Sequence, residues 1–103
     1  MRSLLFIVVL AGCGAQSTGI TESDLSCDTS LTYANFGQAF IETNCSSCHA
    51  GKDSPNLSSQ SAVKSNSSRI LQEAVYTTAM PDGADLSNDE RMLLGQWLTC
   101  GAP

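Results

Sequence analysis

The sequence predicts a small all-α domain built from three main helices. Its 103 residues allow one domain at most. Three segments repeat apolar residues at helical spacing, roughly 33 to 44, 69 to 77 and 87 to 98. Cap-forming residues stand where each segment begins, which supports the same three helices.

The first helix is predicted over 33 to 44, with Thr32 as its N-cap. Tyr33, Phe36 and Phe40 follow the i, i+3, i+7 spacing, so we expect them to share a buried stripe. Gly37 lies within this helix, where glycine costs about 1 kcal/mol relative to alanine. A glycine at such a position indicates close packing against another element.

The other two helices follow a loop over 50 to 61, and residues 61 to 66 are expected to form one short turn. Ser67 or Ser68 caps the middle helix, whose apolar face comprises Ile70, Leu71, Ala74 and Val75. The last helix opens on Ser87 and Glu90, the two ends of a capping box. Its apolar face is expected to cross the first helix near Gly37 and comprises Leu93, Leu94, Trp97 and Leu98.

The chemistry of the chain centres on Cys45-Ser46-Ser47-Cys48-His49. Two thiols three residues apart with a histidine directly after the second is the spacing of covalent c-type haem attachment. One helical turn places residues i and i+3 on one face, so both thiols reach the two vinyl groups at one porphyrin edge. His49 then follows where its ring can bind the iron as proximal ligand.

Other kinds of site use similar residues. A zinc site needs four ligands and usually a second Cys/His pair, but the chain has one histidine and its remaining cysteines are scattered. A thioredoxin-like redox motif lies beside a βαβ pattern, and no strand run surrounds Cys45. A structural Cys45–Cys48 disulfide does not require His49. Haem attachment accounts for all three residues.

From about Thr32 to Trp97 the chain resembles the class I c-type cytochromes, most specifically at Cys45 to His49 and at Met80-Pro81. The resemblance implies one covalent haem c, bound by Cys45 and Cys48, with His49 as proximal and Met80 as distal iron ligand. Met92, the competing methionine, lies within the last helix, where a packing role is expected. If Met80 only packs, the distal site is open.

Two further residues resemble positions of this family. Pro55 stands in a Pro-Asn-Leu segment in which the proline carbonyl orients the proximal histidine by accepting its second ring N–H. A simple turn proline is the alternative for Pro55. Gly37 resembles the glycine at which the N-terminal helix of these cytochromes packs against the C-terminal helix.

The N-terminus is predicted to be a lipoprotein signal over residues 1 to 12. A positive start and a seven-residue apolar run, too short to span a bilayer, precede Leu10-Ala11-Gly12-Cys13. This order resembles the bacterial lipobox and implies a diacylated Cys13, which gives stable anchoring. The alternative is an ordinary export signal. Residues 13 to 26 are expected to form a flexible tether, with an ordered arm as the alternative, and 27 to 103 the folded domain.

Export implies an oxidising compartment in which spare cysteines pair. With Cys13 lipidated and Cys45 and Cys48 bound to haem, only Cys27 and Cys100 remain, so one disulfide is predicted between them. It would link the start of the domain to the end of the last helix.

Ten acidic residues against five basic ones make nucleic acid an unexpected partner. The combined features predict a membrane-anchored, extracytoplasmic electron carrier that docks with redox proteins of the bacterial cell envelope and transforms no substrate. Two alternatives remain: a small haem enzyme or sensor with an open distal site, and a haem-free, disulfide-bonded envelope lipoprotein.

Overall fold

A computed structural model describes residues 15–45, 56–81 and 86–103, and within them the fold is helical. Helix α1 consists of a widened turn, Tyr33–Gly37, that continues as an α-helix, Gln38–Asn44. Helix α2 is Gln60–Ser65, helix α3 runs through Ser67–Ile70 and Leu71–Val75, and helix α4 is Asn88–Thr99. A short 3-10 turn, Glu22–Asp24, precedes them. The all-α prediction is confirmed, and α2 is a full helix where one short turn was expected.

Helix α1 begins where the cap was predicted. The Thr32 hydroxyl accepts a hydrogen bond from the Asn35 amide at 3.1 Å, and the Asn35 side-chain oxygen accepts one from the Thr32 amide at 2.8 Å. This reciprocal pair is a capping box and satisfies two amides that lack partners in the helix. The most deeply buried positions of α1 are Gly37 and Ile41, whereas the predicted aromatic stripe is only partly buried and flanks them.

Helices α1 and α4 meet at Gly37 and Trp97. A Cβ atom placed on Gly37 would lie within 3.0 Å of three ring atoms of Trp97, so only glycine allows this approach. Trp97 is 0% exposed, with Tyr33 stacked on it at a centroid distance of 6.4 Å and Phe36 edge-on at 5.9 Å. The predicted crossing near Gly37 is therefore confirmed.

Helix α4 carries the predicted Ser87–Glu90 capping box, in which the serine hydroxyl accepts from the Glu90 amide at 3.1 Å. Its buried face keeps Leu94, Trp97 and Leu98 of the predicted one, loses Leu93 and gains Arg91 and Gly95. Leu93 is 41% exposed, and Arg91 takes a place in the buried stripe instead. Positions 91, 94, 95 and 98 recur at helical spacing, and residue 93 falls outside that arc.

The described part of the segment before the first helix is an arm that pairs with the rest of the chain, the arrangement given as the alternative to a flexible tether. Ser17 pairs with Thr77 in an antiparallel bridge, and the Thr18 amide donates to the Tyr76 carbonyl at 3.0 Å. Ile20 is 8% exposed and belongs to the hydrophobic core. The polar composition of the arm suggested a free linker, but its hydroxyl and amide groups pair with the chain that follows α3.

The disulfide between Cys27 and Cys100 is present, with their Cα atoms 4.7 Å apart. The C-terminus is tied to α1 as well, because the Pro103 carbonyl accepts hydrogen bonds from the Trp97 ring nitrogen, at 3.2 Å, and from the Tyr33 amide. The disulfide and these hydrogen bonds thus hold the residues that follow α4 against Cys27 and the start of α1. None of the helices in the described ranges has the length and apolar character needed to cross a bilayer.

Candidate functional site

The predicted haem-attachment motif starts where helix α1 ends. Cys45 is the C-cap of α1, and its amide donates to the Ile41 carbonyl at 2.8 Å. Its thiol pairs with no other cysteine in the part of the chain that the structure describes, and it is partly buried against the hydrophobic core. Burial raises the pKa of the Cys45 thiol to about 11, so the group is protonated at neutral pH. The rest of the motif, including Cys48 and His49, lies outside the described residues, as do Pro55 and Cys13.

The chain returns to the core soon after the motif. Leu57 is buried in the same hydrophobic cluster as Ile41, and Val63 of α2 is fully buried beside them. Core residues therefore hold the chain on both sides of the segment that carries Cys48 and His49.

Met80, the predicted distal ligand, also lies at the margin of this core. Its side chain is partly buried and packs against the core cluster. Its backbone is held on both sides: the amide donates to the Glu73 carbonyl at 2.7 Å, and the carbonyl accepts from Arg91 Nη1 at 2.8 Å. Met92, the competing methionine, is partly buried on α4 and packs against the same cluster.

The residues around Met80 satisfy the carbonyls at the end of helix α3, which have no partners within the helix. The Thr77 hydroxyl donates to the Gln72 carbonyl at 2.9 Å, and Arg91 Nη1 donates to the Ala74 carbonyl at 2.7 Å. From the arm, the Thr18 hydroxyl donates to the Val75 carbonyl at 2.7 Å. The segment leading to Met80 is therefore bound to α3, to α4 and to the N-terminal arm.

The structure thus brings two predicted site residues, Cys45 and Met80, to the margin of one core and joins Cys27 to Cys100 by the expected disulfide. A cysteine sulfur can form a thioether by addition to a vinyl group, and the thioether sulfur of methionine is a soft ligand that can bind haem iron. Within ranges 15–45, 56–81 and 86–103, no three His, Cys, Asp or Glu side chains form a metal-binding group.

Reasoning from the sequence missed Arg91 and gave the ordered arm only as the alternative to a flexible tether. Arg91 has a detectable signal, because it lies three residues before Leu94 and seven before Leu98, on the stripe of α4 that is otherwise apolar. A charged residue on such a stripe must find partners within the core. The arm carries no comparable signal, since its bonds to residues 76 to 78 join segments about sixty residues apart.

Comparison with family models, with curated proteins and with solved structures finds no match for this chain. Function is therefore argued from its residues and their geometry.

Proposed function

We propose that the protein is a monohaem c-type cytochrome that carries electrons at the surface of a bacterial membrane. The observation that carries this proposal is the Cys45-to-His49 motif, which begins at the end of a helix packed through Gly37 onto the C-terminal helix. Met80 at the margin of the same core would supply the thioether ligand that such a cytochrome uses beside its histidine.

The described residues fit a haem. Among the residues that the structure describes, the Cys45 thiol has no disulfide partner, and it lies against apolar side chains, the environment that a porphyrin edge requires. Cys45 and Cys48 would hold the group covalently, His49 and Met80 would bind the iron, and the Pro55 carbonyl would orient His49. When bound, haem supplies a one-electron cycle between ferrous and ferric iron.

The residues of the chain control that cycle. A thioether ligand such as Met80 raises the reduction potential of haem iron. The apolar side chains around Met80 and Cys45 keep water away, which also raises the potential because the more positively charged ferric form is less well solvated. The acidic surface favours docking of a basic redox partner.

The lipid anchor on Cys13 and the ordered arm would hold the domain close to the membrane. Only three peptide units separate Cys13 from Gln16, whose amide donates to the Thr78 hydroxyl at 3.0 Å. Fully extended, that stretch spans about 11 Å. The segment around Thr78 would therefore face the membrane. The protein would then meet its redox partner at the membrane surface.

The first test is the mass and the visible spectrum of the protein from a host that attaches haem. We expect a denatured mass carrying one covalent haem and a ferric spectrum with the weak far-red band of sulfur-ligated iron. Colourless protein with the mass of bare polypeptide and lipid would refute the proposal and favour the haem-free lipoprotein.

The second test compares Met80→Ala with Met92→Ala, a matched control because both methionines are partly buried against the same core. We expect Met80→Ala to abolish the far-red band and lower the potential, and Met92→Ala to leave both unchanged. An unchanged spectrum in Met80→Ala would instead support an open distal site, as in a haem enzyme or sensor.

The anchor is tested separately with Cys13→Ser. We expect this variant to move from the membrane to the soluble fraction while its haem spectrum stays the same. Continued membrane association would refute lipid anchoring without affecting the assignment of the haem.

A further inference from the structure

Arg91 is a buried charged residue in a hydrophobic core. It is 3% exposed and lies on the inner face of helix α4, one turn before the fully buried Leu94. Taking a guanidinium group out of water is strongly unfavourable unless its donors are satisfied. A charge kept at such a position therefore indicates a specific task.

The partners of Arg91 indicate what that task is. Its Nη1 donates to the carbonyls of Ala74 at 2.7 Å, Met80 at 2.8 Å and Thr77 at 3.3 Å. All three acceptors belong to the end of helix α3 or to the segment that leads from it to Met80. A positive charge at this point also complements the negative end of the α3 dipole.

The bond to the Met80 carbonyl completes the restraint on that residue. The Met80 amide already donates to the Glu73 carbonyl at 2.7 Å, so with Arg91 both polar groups of its backbone are held. The hydrogen bond from the Met80 amide links the residue to α3, and the hydrogen bond to its carbonyl links it to α4. The thioether then starts from a fixed backbone, and less conformational entropy is lost when the sulfur binds a ligand.

We propose that Arg91 is a positioning residue that holds Met80 in place as the distal iron ligand. This inference rests on the proposed function, because it requires Met80 to bind haem iron. Arg91 acts through the backbone of Met80 and does not itself bind the iron.

The test compares four variants of the haem-loaded full chain, each confirmed as folded by far-ultraviolet circular dichroism. Arg91→Met removes the donors and keeps an unbranched apolar chain, whereas Arg91→Lys keeps a charge that can donate to carbonyls. Leu94→Ala destabilises the same buried face of α4 without removing a donor. Met80→Ala defines the spectrum and potential of iron without the sulfur.

We expect Arg91→Met to lose the far-red band in most ferric molecules and to show more than half of the fall in potential seen in Met80→Ala. Arg91→Lys should restore much of the band, because an ammonium group still donates to the same carbonyls. Leu94→Ala should keep the band and the potential, although it unfolds at lower denaturant concentration than the wild type.

The proposal is overturned if folded Arg91→Met keeps the wild-type band and potential, or if Leu94→Ala loses them equally, which would indicate general loosening. An unchanged spectrum in Met80→Ala would refute the ligand assignment itself, a distinct pattern that also removes the basis of this inference.

Hydrogen exchange of the wild-type holoprotein decides the question if Arg91→Met does not fold. We expect the Met80 amide to exchange only through the opening that exposes the amides of α4 around Arg91. A Met80 amide that exchanges much faster than those amides would overturn the proposal.

Discussion

The variant Gly37→Ala tests whether helices α1 and α4 approach each other as closely as the contact between Gly37 and Trp97 indicates. The backbone at Gly37 is helical, with φ of −64° and ψ of −43°, so alanine suits the conformation. On helix propensity alone, the substitution would stabilise the protein by about 1 kcal/mol. Its Cβ would, however, lie within 3.0 Å of three atoms of the Trp97 ring.

The ring cannot easily move away from that Cβ. Trp97 is enclosed by Tyr33 and Phe36, and its ring nitrogen donates to the Pro103 carbonyl at 3.2 Å. Overpacking of a well-packed core costs about 1–3 kcal/mol, and contact with a rigid, enclosed ring favours the upper end. After the gain in propensity, we expect Gly37→Ala to lower the free energy of unfolding by about 2 kcal/mol.

The assay is guanidinium denaturation of the purified protein, with a thermal melt expected to shift downward by about 8–16 °C for a domain of this size. Gly95→Ala is the matched control, because its Cβ would meet the terminal methyl groups of Leu25, at 2.7 and 3.0 Å, and a Val75 methyl at 3.1 Å. The flexible, partly buried Leu25 side chain can rotate, so we expect a change within about 1 kcal/mol.

A double variant identifies the source of the loss. Trp97→Phe removes the ring atoms that the new Cβ would meet, so Gly37→Ala should cost less in that background. The reasoning would be refuted if Gly37→Ala were as stable as the wild type, or if its cost were the same with phenylalanine at position 97.

Four further predictions concern Cys45, the disulfide and the arm. The raised pKa of Cys45 lowers its thiolate fraction about 100-fold relative to a thiol with the ordinary pKa of 9.0, and the greater nucleophilicity of that thiolate offsets part of this loss. We therefore expect Cys45 to be alkylated about tenfold more slowly in the folded haem-free chain than in urea, as measured by peptide mass spectrometry. Equal rates would contradict this prediction. Because the pKa of Cys45 is higher in the folded chain than in the unfolded one, the free energy of unfolding of the haem-free chain should fall progressively between about pH 9 and pH 11. Urea denaturation at several pH values measures this, and a free energy of unfolding that stays constant over that range would contradict the burial of the thiol. The Cys27–Cys100 disulfide closes a loop with a sequence separation of 73, so the double variant Cys27→Ser, Cys100→Ser should lose about 4 kcal/mol of free energy of unfolding. A thermal midpoint within a few degrees of the wild type would argue against this stabilising effect. Thr18→Val removes the hydroxyl bonded to the Val75 carbonyl and should cost about 1–2 kcal/mol in denaturant, with a neutral result indicating that the arm contributes little.

Local signals in the sequence predicted much of the fold. The N-cap at Thr32 and the capping box at Ser87 depend on residues within one turn of each other, so their positions follow from short-range geometry. The approach of Gly37 to Trp97 was also predictable, since a glycine within a helix indicates a close neighbour. The pairing of Cys27 with Cys100 followed from counting which cysteines had other uses.

The surroundings of Met80 were less predictable. Its sequence context indicates a ligand loop, but the bonds that hold its backbone come from Glu73 and Arg91, seven and eleven residues away along the chain. The identity of these partners depends on how α3 and α4 pack. Hydrogen bonds between separate elements are difficult to predict from the composition or the periodicity of a sequence.

The sequence by itself determined the helical class, the starts of α1 and α4 and the disulfide, and it contains the Cys45-to-His49 motif on which the proposed chemistry rests, because each depends on residue type at short spacing or on a simple count. The start of α3 was predicted less well, since its N-cap is Asn66 and not Ser67 or Ser68. Only the tertiary structure decided that Arg91 is buried, that Leu93 is exposed and that the arm lies along residues 76 to 78. Burial and long-range pairing depend on which face of each element its neighbours cover, and that is settled when the whole core packs.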